Sequence, residues 1–199
     1  MNFAATIAAA TLCLACGKTS GSAATPGGSA GSEAQQAVTS EYNADGRLTK
    51  LSYDRDHDGK IDTWGYMDGT RVVRVEVDEN GDGIVDHWEY HSKDAAPPPL
   101  DHPGPDPTLE RIEQATRYDG KVSRWEYFDH GELTHAEEDT DGDGKIDKWE
   151  TYTAGVLTSI ALDTAGRGTP NRRLVYKDGV FDHAETDQTG SGIFKVSAP

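Results

Sequence analysis

The sequence predicts an all-β protein, organised as an antiparallel β-meander of 24-residue hairpin repeats. The first observation is that similar acidic strings recur at an interval of 24 residues within two blocks. They begin at Asp54, Asp78, Asp139, Asp163 and Asp187. The second is that tryptophans keep this interval, at positions 64 and 88 and again at 125 and 149. The third is that the segments between them, such as KVSRWEYF at 121–128, are rich in β-branched and aromatic residues, which is typical of strands.

Each 24-residue unit is predicted to be one β-hairpin. Asp-Gly pairs at 68–69 and 178–179 are a strong signal for a tight hairpin turn. The acidic string then forms a longer loop to the next hairpin. Because every connection is short, consecutive strands are expected to pair antiparallel. The repeat domain is expected to cover residues 41–199.

The first 40 residues are expected to be an export signal and a tether. Residues 3–15 are apolar but too few to span a bilayer, and they end in small residues, as a secretory signal does. The string CLAC followed by Gly17 resembles the lipobox of bacterial lipoproteins, which implies cleavage and lipidation of Cys16. Residues 1–16 are thus the predicted lipoprotein signal peptide and lipobox. Residues 17–40, rich in Gly, Ser, Ala and Thr, are predicted to be a disordered linker.

A Pro-rich stretch at 93–108 interrupts the repeat. The spacing between Trp88 and Trp125 is 37 residues, which is 13 more than the repeat. Proline cannot continue a central strand or a helix, so this stretch is predicted to be an inserted surface loop. The segment at 107–118 that follows has two interpretations, a single helical turn or part of a degenerate repeat.

The acidic loops carry oxygen-bearing side chains at regular positions. Numbered from its first Asp, the loop at 139–150 has carboxylates at positions 1, 3, 5, 9 and 12 and glycine at position 6. The loop at 78–89 has the same pattern with Asn80 at position 3, and the loop at 54–65 has it except that Gly65 replaces the final Glu. The pattern resembles the calcium loop of EF-hand proteins. The flanking segments look like strands, so the helix-loop-helix geometry of that family is not expected.

The chemistry of Ca²⁺ explains this spacing. The ion takes about six to eight oxygen ligands at about 2.3–2.6 Å, and alternate residues of a tight loop offer oxygens to one centre. The resemblance further implies a backbone carbonyl at position 7, a contact through water at position 9 and a bidentate Glu at position 12. The predicted Ca²⁺ ligands are Asp54, Asp56, Asp58, Lys60 and Asp62 in the first loop; Asp78, Asn80, Asp82, Ile84, Asp86 and Glu89 in the second; and Asp139, Asp141, Asp143, Lys145, Asp147 and Glu150 in the third.

An alternative remains open for these loops. Asp and Gly also favour plain turns, and acidic side chains keep an exported surface soluble. Position 9 is the feature that no turn requires. The missing Glu at position 12 is expected to weaken the first site. The loops that begin at Asp163 and Asp187 have lost most of the oxygen ligands and are expected to be connectors without a metal.

The tryptophans and the tyrosines two residues after them are expected to share one face of the sheet. These residues are Trp64, Trp88, Trp125 and Trp149 with Tyr66, Tyr90 and Tyr127. The favoured interpretation is an aromatic ladder that supplies the core, because cross-strand aromatic pairs stabilise sheets and only 35% of the chain is hydrophobic. The alternative is a platform for a carbohydrate or another cell-envelope partner, with the acidic loops as plain turns.

Composition and motifs limit the function classes. The net charge of −16 disfavours nucleic acid and anionic membrane surfaces and favours cations. Both cysteines lie within the first 16 residues, which excludes a disulfide framework in the body. Most of the seven histidines are expected to be solvent exposed, and no catalytic motif is found, so no enzymatic activity is expected. We therefore expect an exported, calcium-binding β-repeat protein, anchored by lipid in the cell envelope at the outer membrane.

Overall fold

A computed structural model describes residues 38–96 and 104–197 of the chain. The predicted signal peptide and lipobox (1–16) with Cys16, most of the predicted linker (17–37) and the middle of the Pro-rich insertion (97–103) lie outside the described residues. The described part of the chain consists of strands, turns and loops. No helix in it is long and apolar enough to cross a membrane.

The described strands pair in the order in which they occur along the chain, each antiparallel to the next, within a single sheet. They are β1 (Thr39–Tyr42), β2 (Leu48–Tyr53), β3 (Thr63–Asp68), β4 (Arg71–Val77), β5 (His87–His91), β6 (Leu109–Gln114), β7 (Arg124–Asp129), β8 (Glu132–Glu138), β9 (Lys148–Thr153), β10 (Val156–Leu162), β11 (Arg172–Lys177), β12 (Val180–Thr186) and β13 (Lys195–Val196). This arrangement confirms the predicted all-β meander. The ambiguous segment after the insertion contains strand β6, not a helical turn.

The two edges of the sheet where the strands end carry different connections. At one edge, two-residue turns join β3 to β4, β7 to β8, β9 to β10 and β11 to β12. In the turn after β9, φ is positive at both Ala154 (49°) and Gly155 (69°), which is the type I′ geometry that matches the twist of paired strands. The acidic loops all lie at the opposite edge, because each follows an even-numbered strand.

Within the described residues the sheet is one layer thick, because each strand contacts only its immediate neighbours. Among the described residues, the buried hydrophobic side chains are Val77, Ala115 and Ala136. The larger buried set is polar, and most of it lies where loops meet strands: Asp62, Thr63, Asp78, Asp86, His87, Ser123, Asp139, Asp163 and Asp187. The junction of loops and strands is therefore the most buried part of the molecule.

The register places the four tryptophans in one row across one face, which confirms that they share a face. The row runs Trp64, Glu76, Trp88, Glu113, Trp125, Glu137 and Trp149. The expected aromatic pairs do not form, because a glutamate on the intervening strand separates each tryptophan from the next. The tryptophans are half-buried, so the row covers part of this face of the sheet but does not form a closed hydrophobic core.

The tyrosines form a second row on the same face, and their rings are covered by side chains of the protein itself. Measured to the ring centroid, Arg74 lies on Tyr66 at 4.2 Å, Arg111 on Tyr90 at 4.4 Å and His135 on Tyr127 at 4.3 Å. The two arginine contacts are cation–π contacts, which stabilise by about 0.5–1 kcal/mol each at exposed sites, and the His135 ring is stacked on Tyr127. The covered rings favour a structural role for the tyrosines over a carbohydrate platform.

The opposite face carries a group of paired charges that we term the Arg124 cluster, comprising Arg124, Glu126, Glu138, Lys148 and Glu150. The guanidinium lies 2.7 Å from Glu150, 2.8 Å from Glu126 and 3.1 Å from Glu138. Lys148 pairs with Glu150 at 2.8 Å and with Glu138 at 3.0 Å. Burial acts to raise the pKa of Glu150, but hydrogen bonds from Arg124 and Lys148 outweigh it and hold the pKa at about 2. The cluster links β7, β8 and β9 where apolar side chains are scarce.

Candidate metal centre

Three loops at one edge of the sheet carry the predicted ligands, and the first residue of each loop organises its backbone. The loops connect β2 to β3 (54–62), β4 to β5 (78–86) and β8 to β9 (139–147). In the third loop, the Asp139 carboxylate accepts the amides of Gly142 at 2.6 Å and Gly144 at 3.0 Å. Asp54 and Asp78 accept the amides at the same two positions of their own loops. Gly144 has a φ of +87°, where a β-carbon would be strained.

Positions 3 and 5 each form a further turn within the loop. Asp141 accepts the amide of Asp143 at 3.1 Å, and Asp143 accepts the amide of Lys145 at 2.9 Å. The first and second loops contain the corresponding bonds. Each of these side chains uses one oxygen to accept a backbone amide of its own loop. The loop backbone thus fixes the positions of several acidic groups. These hydrogen bonds are sufficient to explain the turn without a metal ion. Evidence for a metal site therefore depends on the positions of the carboxylate oxygens.

The carboxylates converge in two of the three loops. One oxygen from each of Asp54, Asp56 and Asp58 lies within 4.8 Å of the others, and the same holds for Asp139, Asp141 and Asp147. Oxygens on opposite sides of a Ca²⁺ ion are separated by about twice the bond length, or about 4.6–5.2 Å. The two groups are therefore compact enough to share one such ion.

Position 9 has a structural role that sequence reasoning missed. Asp62 and Asp147 accept the amide at position 2 of their own loops, at 3.1 Å from Arg55 and at 3.2 Å from Thr140. The backbone of this position also joins one loop to the next, since the Asp62 carbonyl accepts the Asp78 amide at 2.8 Å. Position 9 thus closes its own loop and fixes the start of the following one.

Asp86, the position-9 residue of the second loop, is buried without compensation. It is 1% exposed, and neither carboxylate oxygen has a hydrogen-bond partner among the described residues. Burial raises the pKa of Asp86, the nearby amide of Glu79 offsets this only in part, and the carboxylates of Asp82 and Asp78 raise the pKa further. An uncompensated buried carboxylate is costly, and a cation in the second loop would supply the missing partner.

Position 7, predicted to offer a backbone carbonyl, is occupied by exposed residues. These are Lys60, Ile84 and Lys145. The ammonium of Lys145 lies 3.0 Å from Asp143, and this contact lowers the pKa of the Asp143 carboxyl. The ammonium of Lys145 would therefore compete with a bound ion for one carboxylate.

The position-12 glutamates lie away from the clusters. Glu89 contacts His87 at 3.1 Å, and Glu150 belongs to the Arg124 cluster. The reason is the strand that follows each loop. An extended chain rises about 3.3 Å per residue, whereas the helix of an EF-hand rises about 1.5 Å, so three residues of strand carry the glutamate well beyond the loop. The structure thus places these two predicted ligands in side-chain networks of the sheet.

The contact of Arg117 with the third loop was not predicted from the sequence. This arginine belongs to the degenerate loop between β6 and β7 and reaches into the third loop, where its guanidinium donates to the Asp139 carbonyl at 3.0 Å and lies 3.7 Å from the Asp139 carboxylate. The two residues are 22 apart in sequence, and the local motif contains no signal for their contact. A fixed positive charge therefore lies beside the first ligand of the third loop.

The loops that begin at Asp163 and Asp187 retain the turn without the converging acids. Asp163 accepts the amide of Gly168 at 2.6 Å, and Asp187 accepts that of Gly192 at 2.6 Å. Burial acts to raise the pKa of Asp187, but hydrogen bonds from the amide of Gly192 and from the hydroxyl and amide of Thr189 outweigh it and hold the pKa at about 2. Position 1 and the glycine at position 6 therefore serve the turn, whereas the acids at positions 3, 5 and 9 distinguish the candidate metal loops.

Comparison with known proteins supports this assignment for one loop. A family model described as EF hand matches residues 139–151. The match covers the third loop and the start of β9, a small part of the 199-residue chain. No curated protein matches the chain. The family match and the acidic clusters together support a calcium-binding loop at this edge of the sheet.

Proposed function

We propose that this chain is an exported, lipid-anchored protein of the cell envelope that binds Ca²⁺ in its acidic loops, and that the ions stabilise the sheet. The observation that carries the proposal is the convergence of Asp139, Asp141 and Asp147 in a loop that matches the EF hand. The role is binding and stabilisation, and we propose no catalytic activity.

The sheet needs such stabilisation because its apolar core is small. The loops lie in one row: the first and second are two strands apart, or about 9.5 Å, and the third is four strands from the second. A divalent ion in each loop would offset the repulsion of its carboxylates and fix position 9, whose carbonyl holds the next loop. With a dissociation constant of about 10⁻⁴–10⁻³ M, as in extracellular modules, about 5 mM Ca²⁺ would contribute about 1–2 kcal/mol per site by linkage.

Thermal unfolding with and without calcium tests this role. In Ca²⁺ rather than EGTA, the wild-type midpoint is expected to rise by about 2–8 °C for each occupied loop. Asp139→Asn removes a charge and keeps one of the two oxygens, Oδ1 and Oδ2, that accept the loop amides, so it is expected to lose one loop's share of the gain. Asp163→Asn is the matched control, because Asp163 holds the same turn in a loop without converging acids. An unchanged wild-type midpoint would count against the proposal.

The lipid anchor is tested independently of calcium. The lipobox resemblance assigns lipidation to Cys16, while Cys13 lies three residues earlier in the same signal. Expression of the full chain in bacteria with a clickable fatty acid is expected to label the wild type and Cys13→Ala but not Cys16→Ala. Label that persists in Cys16→Ala would contradict lipidation at this residue and leave ordinary secretion as the route of export.

A second candidate function is binding of a cell-envelope glycan by the tryptophan row. The half-buried tryptophans lie at a constant interval of two strands, a periodic surface suited to a linear polymer. Quenching or enhancement of tryptophan fluorescence by soluble peptidoglycan fragments would support this candidate. The absence of any change in fluorescence or co-sedimentation would leave the row with its structural role.

A further inference from the structure

The loop between β6 and β7 (115–123) forms the same kind of turn as the candidate metal loops but carries a cation in place of an acid. Ser123, at position 9, accepts the amide at position 2 at 3.1 Å, as Asp147 does in the third loop. Asp119, at position 5, accepts the amide at position 7 at 3.0 Å. Position 3, where the candidate metal loops have an acid or an asparagine, is Arg117. This loop therefore forms its turn with a single acid and presents a positive charge.

The guanidinium of Arg117 lies on the start of the third loop. Its Nη1 donates to the Asp139 carbonyl oxygen at 3.0 Å, and its Nη2 lies 3.7 Å from Oδ2 of the Asp139 carboxylate. It also lies against the backbone at Gly142, where a β-carbon would be 3.2 Å from the guanidinium carbon. The side chain of Arg117 is 37% exposed and that of Asp139 is 7% exposed. A partly buried positive charge thus contacts positions 1 and 4 of the third loop.

This charge is permanent and lies close to the candidate ion site. Arginine remains protonated at every pH at which proteins are studied. An ion bound to Oδ2 of Asp139 at about 2.3–2.6 Å would have the nearest guanidinium nitrogen no more than about 6 Å away. Because the two charges have the same sign, their repulsion weakens binding by about tenfold at low salt and by about threefold at about 0.15 M salt, even with the dielectric constant of water.

We propose that Arg117 is a built-in cation that sets the calcium affinity of the third loop; this inference rests on the calcium binding proposed above. When no ion is bound, Arg117 offsets part of the repulsion among the converging acids and holds the start of the loop. When an ion binds, two cations share Asp139, so the loop binds calcium less tightly than its acids alone would allow. The third loop therefore remains folded at low calcium and fills at a higher concentration than it would without Arg117.

The first loop has converging acids without such an arginine. One oxygen from each of its three aspartates lies within 4.8 Å of the others. Within the described residues, no arginine or lysine forms an ion pair with the carboxylate of Asp54 at position 1. Its position-7 lysine contacts the position-5 aspartate, as in the third loop. The first loop is therefore an internal reference for the effect of Arg117.

The test follows calcium binding at each loop separately, by nuclear magnetic resonance of the ¹⁵N-labelled full chain. Gly59 and Gly144, at position 6, each donate their amide to the first Asp of their own loop, so their resonances report on the first and third loops. Arg117→Gln removes the charge and keeps a hydrogen-bond donor. It is expected to tighten binding at Gly144 about 3–10-fold and to leave binding at Gly59 unchanged. Arg117→Lys keeps the charge and is expected to stay within about twofold of the wild type.

Two further measurements separate this role from a purely structural one. Arg117→Gln is expected to lower the unfolding midpoint more in EGTA than in Ca²⁺, because the ion replaces the missing charge; loss of a structural contact alone would lower both midpoints equally. The difference in affinity at Gly144 between wild type and variant is expected to narrow in about 1 M NaCl, where the Debye length is about 3 Å. Arg117→Met, which keeps much of the side-chain volume, is a second neutral variant with the same expected affinity.

Arg167→Gln is the matched control. Arg167 also reaches the following loop, since its Nη1 would lie 3.7 Å from a β-carbon at Gly190, the position equivalent to Gly142, but that loop lacks converging acids. Its replacement is expected to leave calcium binding at Gly144 unchanged. Glycine resonances that do not respond to calcium in the wild type would contradict the proposed function itself. Calcium binding that Arg117→Gln and Arg117→Met fail to tighten at Gly144, or tighten equally at Gly59, would overturn the role of Arg117 alone.

Discussion

Replacing Arg124 with methionine removes the positive centre of the Arg124 cluster and tests whether paired charges hold this sheet together. Methionine keeps much of the side-chain volume and loses the donors. Lys148 remains and still pairs with Glu138 and Glu150, whereas Glu126 loses its partner. We therefore expect this single substitution to cause a clear loss of stability.

The magnitude follows from the burial of the cluster. Arg124 is 15% exposed, Glu126 18% and Glu150 10%. Removing one partner of a buried ion pair costs about 3–5 kcal/mol, and the remaining lysine and partial exposure place this case near about 3 kcal/mol. For a domain of this size, each kcal/mol lowers the midpoint by about 2–4 °C. The midpoint is thus expected to fall by about 6–12 °C at pH 7.

The loss of stability in Arg124→Met is expected to depend on pH, and the direction of this dependence follows from the pKa of Glu150. Its pKa is about 2 in the folded protein and 4.5 for an ordinary glutamate. A depressed pKa stabilises the fold above the ordinary value, and this contribution disappears as the pH falls toward the folded pKa. The variant lacks most of the contribution at every pH. The midpoints of wild type and variant should therefore converge between pH 4.5 and about 2.

The assay is thermal unfolding followed by circular dichroism in EGTA across that pH range. Arg47→Met is the control, because Arg47 is an exposed arginine outside any ion pair that the structure describes. A deficit for Arg124→Met that equals the control, or that stays constant as the pH falls, would refute the idea that the charges contribute through their pairing.

Three further substitutions probe the loops and the insertion. Asp86→Asn is expected to raise the midpoint in EGTA, because it removes an uncompensated buried charge, and to reduce the calcium-induced rise; unfolding scans in both solutions measure this. Gly131→Ala is expected to lower the free energy of unfolding, measured with denaturant, by at least about 2 kcal/mol more than Gly155→Ala does. Both glycines have positive φ, but only at Gly131 would a β-carbon overlap the Asp106 carbonyl oxygen, at 2.3 Å. Lys145→Met is expected to tighten Ca²⁺ binding about 2–5-fold by calorimetry, because an exposed ion pair no longer competes for the loop.

The sequence was sufficient to predict the architecture because the determinants are local and periodic. A 24-residue repeat with a glycine in each tight turn specifies the hairpins, and short connections require neighbouring strands to pair antiparallel. The turn chemistry of Asp139 and Gly144 is likewise contained within six residues. The sequence did not reveal that glutamates separate the tryptophans, because that depends on the register between strands.

The surroundings of the predicted ligands were less predictable, because some of their contacts come from outside the loop. Glu89 and Glu150 match the motif, but a strand carries them away from the position that a helix would give them. Arg117 reaches the third loop from a different repeat unit. The contacts of His91 with Asp106 and Thr108 of the insertion also join residues that are distant in the sequence.

Equilibrium dialysis of the full chain against radioactive calcium tests the central claim most directly. At about 5 mM Ca²⁺, above the affinity range of extracellular modules, the account predicts one ion for each of the three acidic loops. Asp139→Asn should release one ion and Asp163→Asn none. No bound calcium at this concentration, or binding that Asp139→Asn leaves intact, would contradict the claim that these loops are metal sites.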